Sequence, residues 1–528
     1  MRTSPHALLG ALVAGLMAAG SAYAAPMATV AQGKLEGVAL EKADAYLGVP
    51  FAQPPVGALR WKAPVAAKKW SGVRKADKFS ASCMQVLNPA EGRDPWTPEY
   101  LIPPGTSEDC LYLNVWTPHE AQRKKLPVLL WIHGGGNTEG SGSIPIYNGA
   151  NLAGNGGIVV VTINYRLDVF GFLAHPELTK EGAGASGNYT HEDIVQSLKW
   201  VKANIAAFGG DPDQVTIAGQ SAGAGNVHTL MGIPSAKGLF VRAIAESGSG
   251  IGPRGARLDT AEATGAAFAK QAGAKSLADL RKMPADAVLQ AAAQFRKANP
   301  GQGFRAVIGG SLVPKDPTQA ELEAGAFNDT PVLTGFNWDE GSGFEDAYGT
   351  WSAAEIQKRL DAFGSQTAAA RAIYAPGGEF VPSELGKTLA RDRGMAYTYA
   401  WAKRRSAASR NPIYIYQYMH AEPGPKQARY GSFHTNEVPY VFQNLDAPGR
   451  NFGPVDQQVS KTLSGYWLNF IKTGNPNGPG LVNWPAFDNT SESAARLGPN
   501  VTVSRVLPVE KRDLYEAYYS AGGVLSSR

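Results

Sequence analysis

The chain has 528 residues, 44% of them hydrophobic and 18% charged, with a formal net charge of +5. That balance excludes wholesale disorder, and the dispersed Lys and Arg form no basic stripe with interleaved aromatics to grip nucleic acid. The 61 glycines and 36 prolines carry no period, so they read as loops and tight turns, not as a repeat or a fibre.

The N-terminus reads as an export signal. Arg2 and His6 precede an apolar run over residues 7–19, and Ala22-Tyr23-Ala24 forms an A-x-A cleavage site. This predicts a cleaved signal peptide over residues 1–24 and one domain over residues 25–528. No later stretch is long and apolar enough to span a bilayer. A secreted or periplasmic protein is therefore expected. The cysteines beyond the signal are Cys83 and Cys110, and an even count in an exported protein favours a disulfide between them.

Residues 26 to about 120 read as short strands and Pro-rich turns. From Leu126 the pattern changes to buried strands alternating with helices. PVLLWIH and IVVVTINYR are continuous apolar runs, as strands covered on both faces should be. In HEDIVQSLKWVKANIAAFG, residues Ile194, Leu198, Val201 and Ile205 recur at helical spacing, and Gly209-Gly210 ends the run. QVTIAG, FVRAIAESGS, PVLTGFN and PIYIYQYM read as further strands. Residues 255 to about 300 are Ala-rich and helical, an insertion or cap, and SKTLSGYWLNFIKTG is a late helix with Leu463, Trp467 and Phe470 on one face. Strand, helix and strand in succession imply right-handed parallel crossovers. The expected fold class is α/β: a central, mostly parallel twisted sheet flanked by helices, with a small antiparallel N-terminal region and helical insertions.

Gly219-Gln220-Ser221-Ala222-Gly223 matches G-x-S-x-G between a strand and a helix, the context the motif requires. Small flanking residues leave room for a strained turn that lifts the serine hydroxyl above a sheet, and the helix that follows aims its first amides at any anion formed there. Upstream, His133-Gly134-Gly135-Gly136 follows the PVLLWI strand and matches the HGGG loop of esterases. The N–H groups of Gly135, Gly136 and Ala222 are the candidate oxyanion donors. His133 itself reads as a structural loop residue.

A serine hydroxyl needs a base to take its proton. In this fold the acid and then the histidine follow the serine in the chain. Of His119, His133, His175, His191, His228, His420 and His434, only the last two lie in the late region. His434 lies between a Gly-Ser turn and an apolar run, which suits a loop, whereas His420 closes a strand. For the acid, GFNWDEGSGF presents Asp339 and Glu340 together, and spacing does not choose between them.

These segments together resemble the type-B carboxylesterase and cholinesterase family of α/β hydrolases, from GKLEGVAL to about Phe487. PFAQPPVGALRW, SEDCLYLNVWTP, NYRLDVFGFL, NIAAFGGDP and GNPNGPGLVNWPAFD read like its signature segments. The resemblance implies a Ser221–His434–Glu340 triad, since the family's acid lies in its D-E-G segment and its histidine in H-x-x-E/D-x-P-Y-x-F. It implies the Cys83–Cys110 disulfide, and structural ion pairs Arg60–Glu108 and Arg166–Asp193. Two positions depart from the family pattern: Gln220 replaces the usual Glu before the nucleophile, and Asn137 stands where an aromatic is common. Trp96 lies inside the disulfide loop, where relatives often carry a substrate-binding aromatic. Trp96, Asn137 and Gln220 are thus the candidate substrate contacts.

The function expected is hydrolysis of a small-molecule carboxylic ester through an acyl-enzyme, with no cofactor and no metal. A lipase or amidase on the same triad is the alternative within enzymes. A non-catalytic binding relative is the alternative outside them.

Overall fold

A computed structural model describes residues 24–87, 94–103, 105–252, 254–446 and 450–525. The predicted signal peptide lies outside the described residues but for Ala24. Among the described residues the main sheet has eleven strands. In chain order they are β1 (Val38–Ala39), β2 (Asp44–Pro50), β3 (Tyr112–Thr117), β4 (Leu126–Ile132), β5 (Val159–Ile163), β6 (Gly210–Gln220), β7 (Arg242–Glu246), β8 (Val332–Asn337), β9 (Ile413–Tyr418), β10 (Ser493–Leu497) and β11 (Thr502–Arg505). Their spatial order is β11-β10-β9-β8-β7-β6-β4-β5-β3-β2-β1. Strands β4 to β10 run parallel, and the antiparallel β1–β3 and β11 close the two edges.

The continuous apolar runs are explained by cover on both faces. In β4, Val128, Leu130 and Ile132 enter one core while Leu129 and Trp131 enter the other, as the two-residue period of a strand requires. Helix α1 (Tyr189–Asn204) packs Ile194, Leu198 and Val201 into the first core. It ends through a short 3₁₀ turn at Gly209, whose φ of 82° makes it the left-handed cap expected of a glycine there. Helix α2 (Ala222–Gly232) follows β6. Helices α3 (Leu258–Gln271) and α4 (Ala285–Ala298) form the Ala-rich insertion and build a separate small core with Trp61 and Phe170. On the opposite face of the sheet, α6 (Pro454–Thr473) buries Leu463, Trp467 and Phe470 in the second core.

Two features depart from the sequence reading. Between the insertion and β9 lies a 27-residue helix, α5 (Pro382–Ala408), which sequence reading did not anticipate. Its buried positions mix Met395, Tyr399 and Trp401 with Thr398 and Arg405, so no clean apolar stripe announces it. The N-terminal region is also not purely antiparallel: Met27–Val30 pairs antiparallel with Gly33–Glu36, but Val73–Lys75 joins that pair in parallel.

Candidate active site

The candidate residues converge at the carboxyl ends of parallel strands, where open α/β sheets place their ligand sites. The loop His133–Gly136 leaves β4, Ser221 leaves β6, Asp339 and Glu340 follow β8, and His434 lies on the long connection after β9.

Ser221 sits between β6 and α2 at φ 57° and ψ −122°, a backbone conformation L-residues avoid. The turn is held because the chain is pinched there. A Cβ on Gly223 would lie 2.1 Å from the carbonyl oxygen of Ile132, so only glycine lets the helix start so close to β4. The Ser221 N–H donates to the Glu246 carbonyl at 2.8 Å, tying the elbow to β7. Gly135, at φ 101°, turns the neighbouring loop so tightly that a Cβ would meet the Glu139 carbonyl oxygen at 2.1 Å. Among the described residues no protein acceptor takes the N–H of Gly135, Gly136 or Ala222.

His434 is held from three sides. Its Nδ1 bonds Glu340 Oε2, the edge of Phe344 packs against its ring at 5.1 Å between centroids, and its carbonyl accepts from Trp96 Nε1 at 3.2 Å. Glu340 Oε1 accepts from the Ser247 hydroxyl and, at 2.8 Å, from the Asn337 N–H. Burial alone would push this carboxyl up. The attraction of His434, its hydrogen bond and those from Ser247 and Asn337 outweigh burial and hold Glu340 below the usual carboxylate range. Nε2 of His434 accepts from Gln220 Nε2 at 3.1 Å.

Ser221, His434, Gln220, Trp96, Phe344 and the Gly134–Gly136 loop line one cavity of about 270 Å³. The disulfide Cys83–Cys110, with 5.0 Å between its Cα atoms, closes the loop that carries Trp96. Gln85 in that loop then clamps Gly140, donating to its carbonyl at 2.9 Å and accepting from its N–H at 2.7 Å. Asn137, expected at the cavity wall, is placed elsewhere. Its amide donates to Asn226 Oδ1 at 3.4 Å and accepts from Asn226 Nδ2 at 2.9 Å, and its neighbours Gly136 and Thr138 line the cavity instead.

Neighbouring acids and histidines take other duties. Asp339 faces away from His434 and accepts from Arg391 at 2.7 Å and Tyr348 at 2.8 Å. His420 bonds Asp456 at 2.8 Å. His133 stacks on Tyr165 at 4.2 Å, and burial pushes its imidazole down to about 4. Arg60–Glu108 and Arg166–Asp193 pair through their guanidinium forks at 2.6 and 2.7 Å.

A hydrogen-bonded Ser–His–Glu relay lies in the core. His228 Nδ1 bonds Glu321 Oε1 at 2.8 Å and its Nε2 bonds Ser249 Oγ at 2.6 Å. The relay is sealed: His228 and Glu321 have no exposed side-chain surface, and Arg405 and Trp401 also bond Glu321. Beneath the elbow, Glu246 accepts from Trp467 Nε1 at 2.7 Å, and burial pushes its carboxyl up to about 8. Burial first, then repulsion by Glu246 and Glu340, raises Glu437 as well. Ser247 and Phe344 were missed by sequence reading, because neither carries a motif and both act only through folding onto Glu340 and His434. Among the described residues no group of three or more His, Cys, Asp or Glu is arranged to hold a metal ion.

The sequence model of the Carboxylesterase family matches residues 24–513. The para-nitrobenzyl esterase of Bacillus subtilis (strain 168) is 35% identical over 500 residues, covering 92% of this chain and 97% of that protein. The fumonisin B1 esterase of Sphingopyxis macrogoltabida is 34% identical over 475 residues, covering 87% of this chain and 84% of its own. A solved thermophilic PNB esterase superposes with a TM-score of 0.78 at 33% identity, covering 93% of this chain and 99% of that one. With the family matched over nearly its whole length and the fold shared with solved esterases, this chain belongs to the carboxylesterase family and is an ester hydrolase of the α/β-hydrolase fold.

Proposed function

We propose that the chain is an exported serine esterase whose triad is Ser221, His434 and Glu340. Ser221 Oγ attacks the ester carbonyl while His434 Nε2 takes its proton, and Glu340 at Nδ1 orients the imidazole and stabilises its charged form. The N–H groups of Gly135, Gly136 and Ala222 receive the oxyanion, each such donor contributing roughly 2.7–4 kcal/mol to the barrier. His434 then protonates the departing alcohol. Water, deprotonated by the same imidazole, releases the acid from Ser221. At rest Gln220 occupies the lone pair of His434, so the serine hydroxyl takes that place when the reaction begins.

The observation that carries this reading is the shared cavity: a strained serine and a glutamate-held histidine line one opening, walled by a glycine loop with unused amides. Export is supported by the A-x-A site behind an apolar N-terminal run, and by the Cys83–Cys110 disulfide, which an oxidising compartment favours. The described residues include no helix long and apolar enough to cross a membrane. Labelling of the folded protein with a fluorophosphonate should place the adduct on Ser221. Absence of label in protein that retains its thermal transition would overturn the assignment.

A further inference from the structure

A second cavity of about 340 Å³ lies behind the acid of the triad. Glu340 and Phe344 both line it, and Phe344 lines the Ser221 cavity too. The Phe344 ring therefore stands as a partition between the two. Aromatic rings, Trp338, Phe363 and Tyr515 among them, contribute to the walls of the second cavity, and three arginines also face the space: Arg359, Arg391 and Arg393.

Charge accounting separates these arginines. Arg359 is paired with Glu345 and lies over the Trp351 ring. Arg391 is paired with Asp339 at 2.7 Å and lies over Trp338. The carboxylate of Glu340 is taken by His434. Arg393 is half-buried, and among the described residues its side chain has no hydrogen bond, ion pair or ring contact. A guanidinium withdrawn partly from water without a partner is an unfavourable arrangement, and a planar carboxylate is its best-fitting complement. Tyr515 stands within the electrostatic reach of Arg393, and burial holds its phenol in the protonated, donating form.

We propose that this cavity is a subsite for an ester arm that ends in a carboxylate, with Arg393 as the group that binds it. The proposal rests on the esterase reading above and deepens it by naming a substrate class: esters whose far end is anionic, reached past Phe344. Arg393 acts on binding and orientation, and no proton or bond change is assigned to it.

The test compares matched pairs of esters differing only in that carboxylate. One pair varies the acyl arm, 4-nitrophenyl hydrogen glutarate against 4-nitrophenyl valerate. The other varies the alcohol arm, the butyrate esters of 4-(hydroxymethyl)benzoate and of 4-methylbenzyl alcohol. Arg393→Gln should lower kcat/KM for the anionic member of at least one pair by about 10–100-fold, chiefly through KM, as loss of a charged hydrogen bond does. The neutral members should stay within about twofold. Arg393→Lys should recover part of the anionic rate, and added salt should erode the wild-type preference. Equal effects on both members of each pair, or no effect on either, would overturn the subsite while leaving the esterase reading intact. A wild-type protein inactive on all four esters would sink both.

Discussion

Gln220 donates from Nε2 to Nε2 of His434 at 3.1 Å, and both side chains are almost fully buried. In the proposed triad, the residue before Ser221 thus touches the atom that accepts the serine proton. A carboxylate at this position would favour the charged imidazolium, because an opposite charge within hydrogen-bond distance stabilises it. Gln220→Glu should therefore move the acidic limb of the kcat/KM profile to higher pH by about one unit. A profile measured from pH 4 to 9 that stays in place would show that Gln220 does not face the working base.

Three histidines with acidic partners offer a direct comparison. His434→Ala should reduce kcat by at least about a thousandfold with little change in the melting curve, because it removes the proposed base. His420→Ala should keep most activity, since its bond to Asp456 lies outside the Ser221 cavity. His228→Ala should keep the chemistry but lower stability by roughly 2–4 kcal/mol, leaving Glu321 and Ser249 short of partners in a sealed core. Initial rates and thermal melts on the same three variants separate the roles.

Adjacent acids should likewise diverge. Glu340→Gln keeps the shape but loses the charge that holds the imidazole, and should lower kcat by about 10³–10⁴-fold. Asp339→Asn should leave kcat within a few-fold and instead cost about 1–3 kcal/mol of stability, through its bonds to Arg391 and Tyr348. Steady-state kinetics paired with denaturant unfolding would reveal a reversed order.

Glu246 predicts a pH-dependent stability. Burial raises its carboxyl to about 8 in the folded chain, against an ordinary value of 4.5. The folded form therefore holds a proton that the unfolded form has released, so stability falls as pH rises from about 4.5 to about 8 and levels off above. Glu246→Gln keeps an acceptor for Trp467 and removes this loss. Its melting temperature should match the wild type near pH 4.5 and exceed it by about 2–4 °C near pH 8.5. A constant difference across that range would refute the burial argument.

Much of the fold was legible because its causes are local. The apolar runs at β4, β5, β8 and β9, the period of α1 and the strand–GQSAG–helix junction each announce themselves within a dozen residues. Asn137 was less legible: its polarity suggested a cavity contact, but its amide was already claimed by Asn226, 89 positions away. Helix α5 went unread for a related reason, since its buried face includes Arg405, whose partner Glu321 lies 84 positions earlier.

By itself the chain's order of residues determined the sheet, the elbow and a short roster of acids and bases, because strand and helix periods and tight-turn chemistry act between near neighbours. Only the tertiary structure decided which grouping of serine, histidine and glutamate opens onto a cavity and which is sealed. In both, a histidine Nδ1 bonds a glutamate, but Nε2 of His228 meets Ser249 while Nε2 of His434 meets Gln220. The packing over them also differs: Trp401 and Arg405 close over Glu321, while Trp96 and Phe344 leave space beside His434. Access to substrate is a property of the void between distant segments, and no local pattern encodes a void.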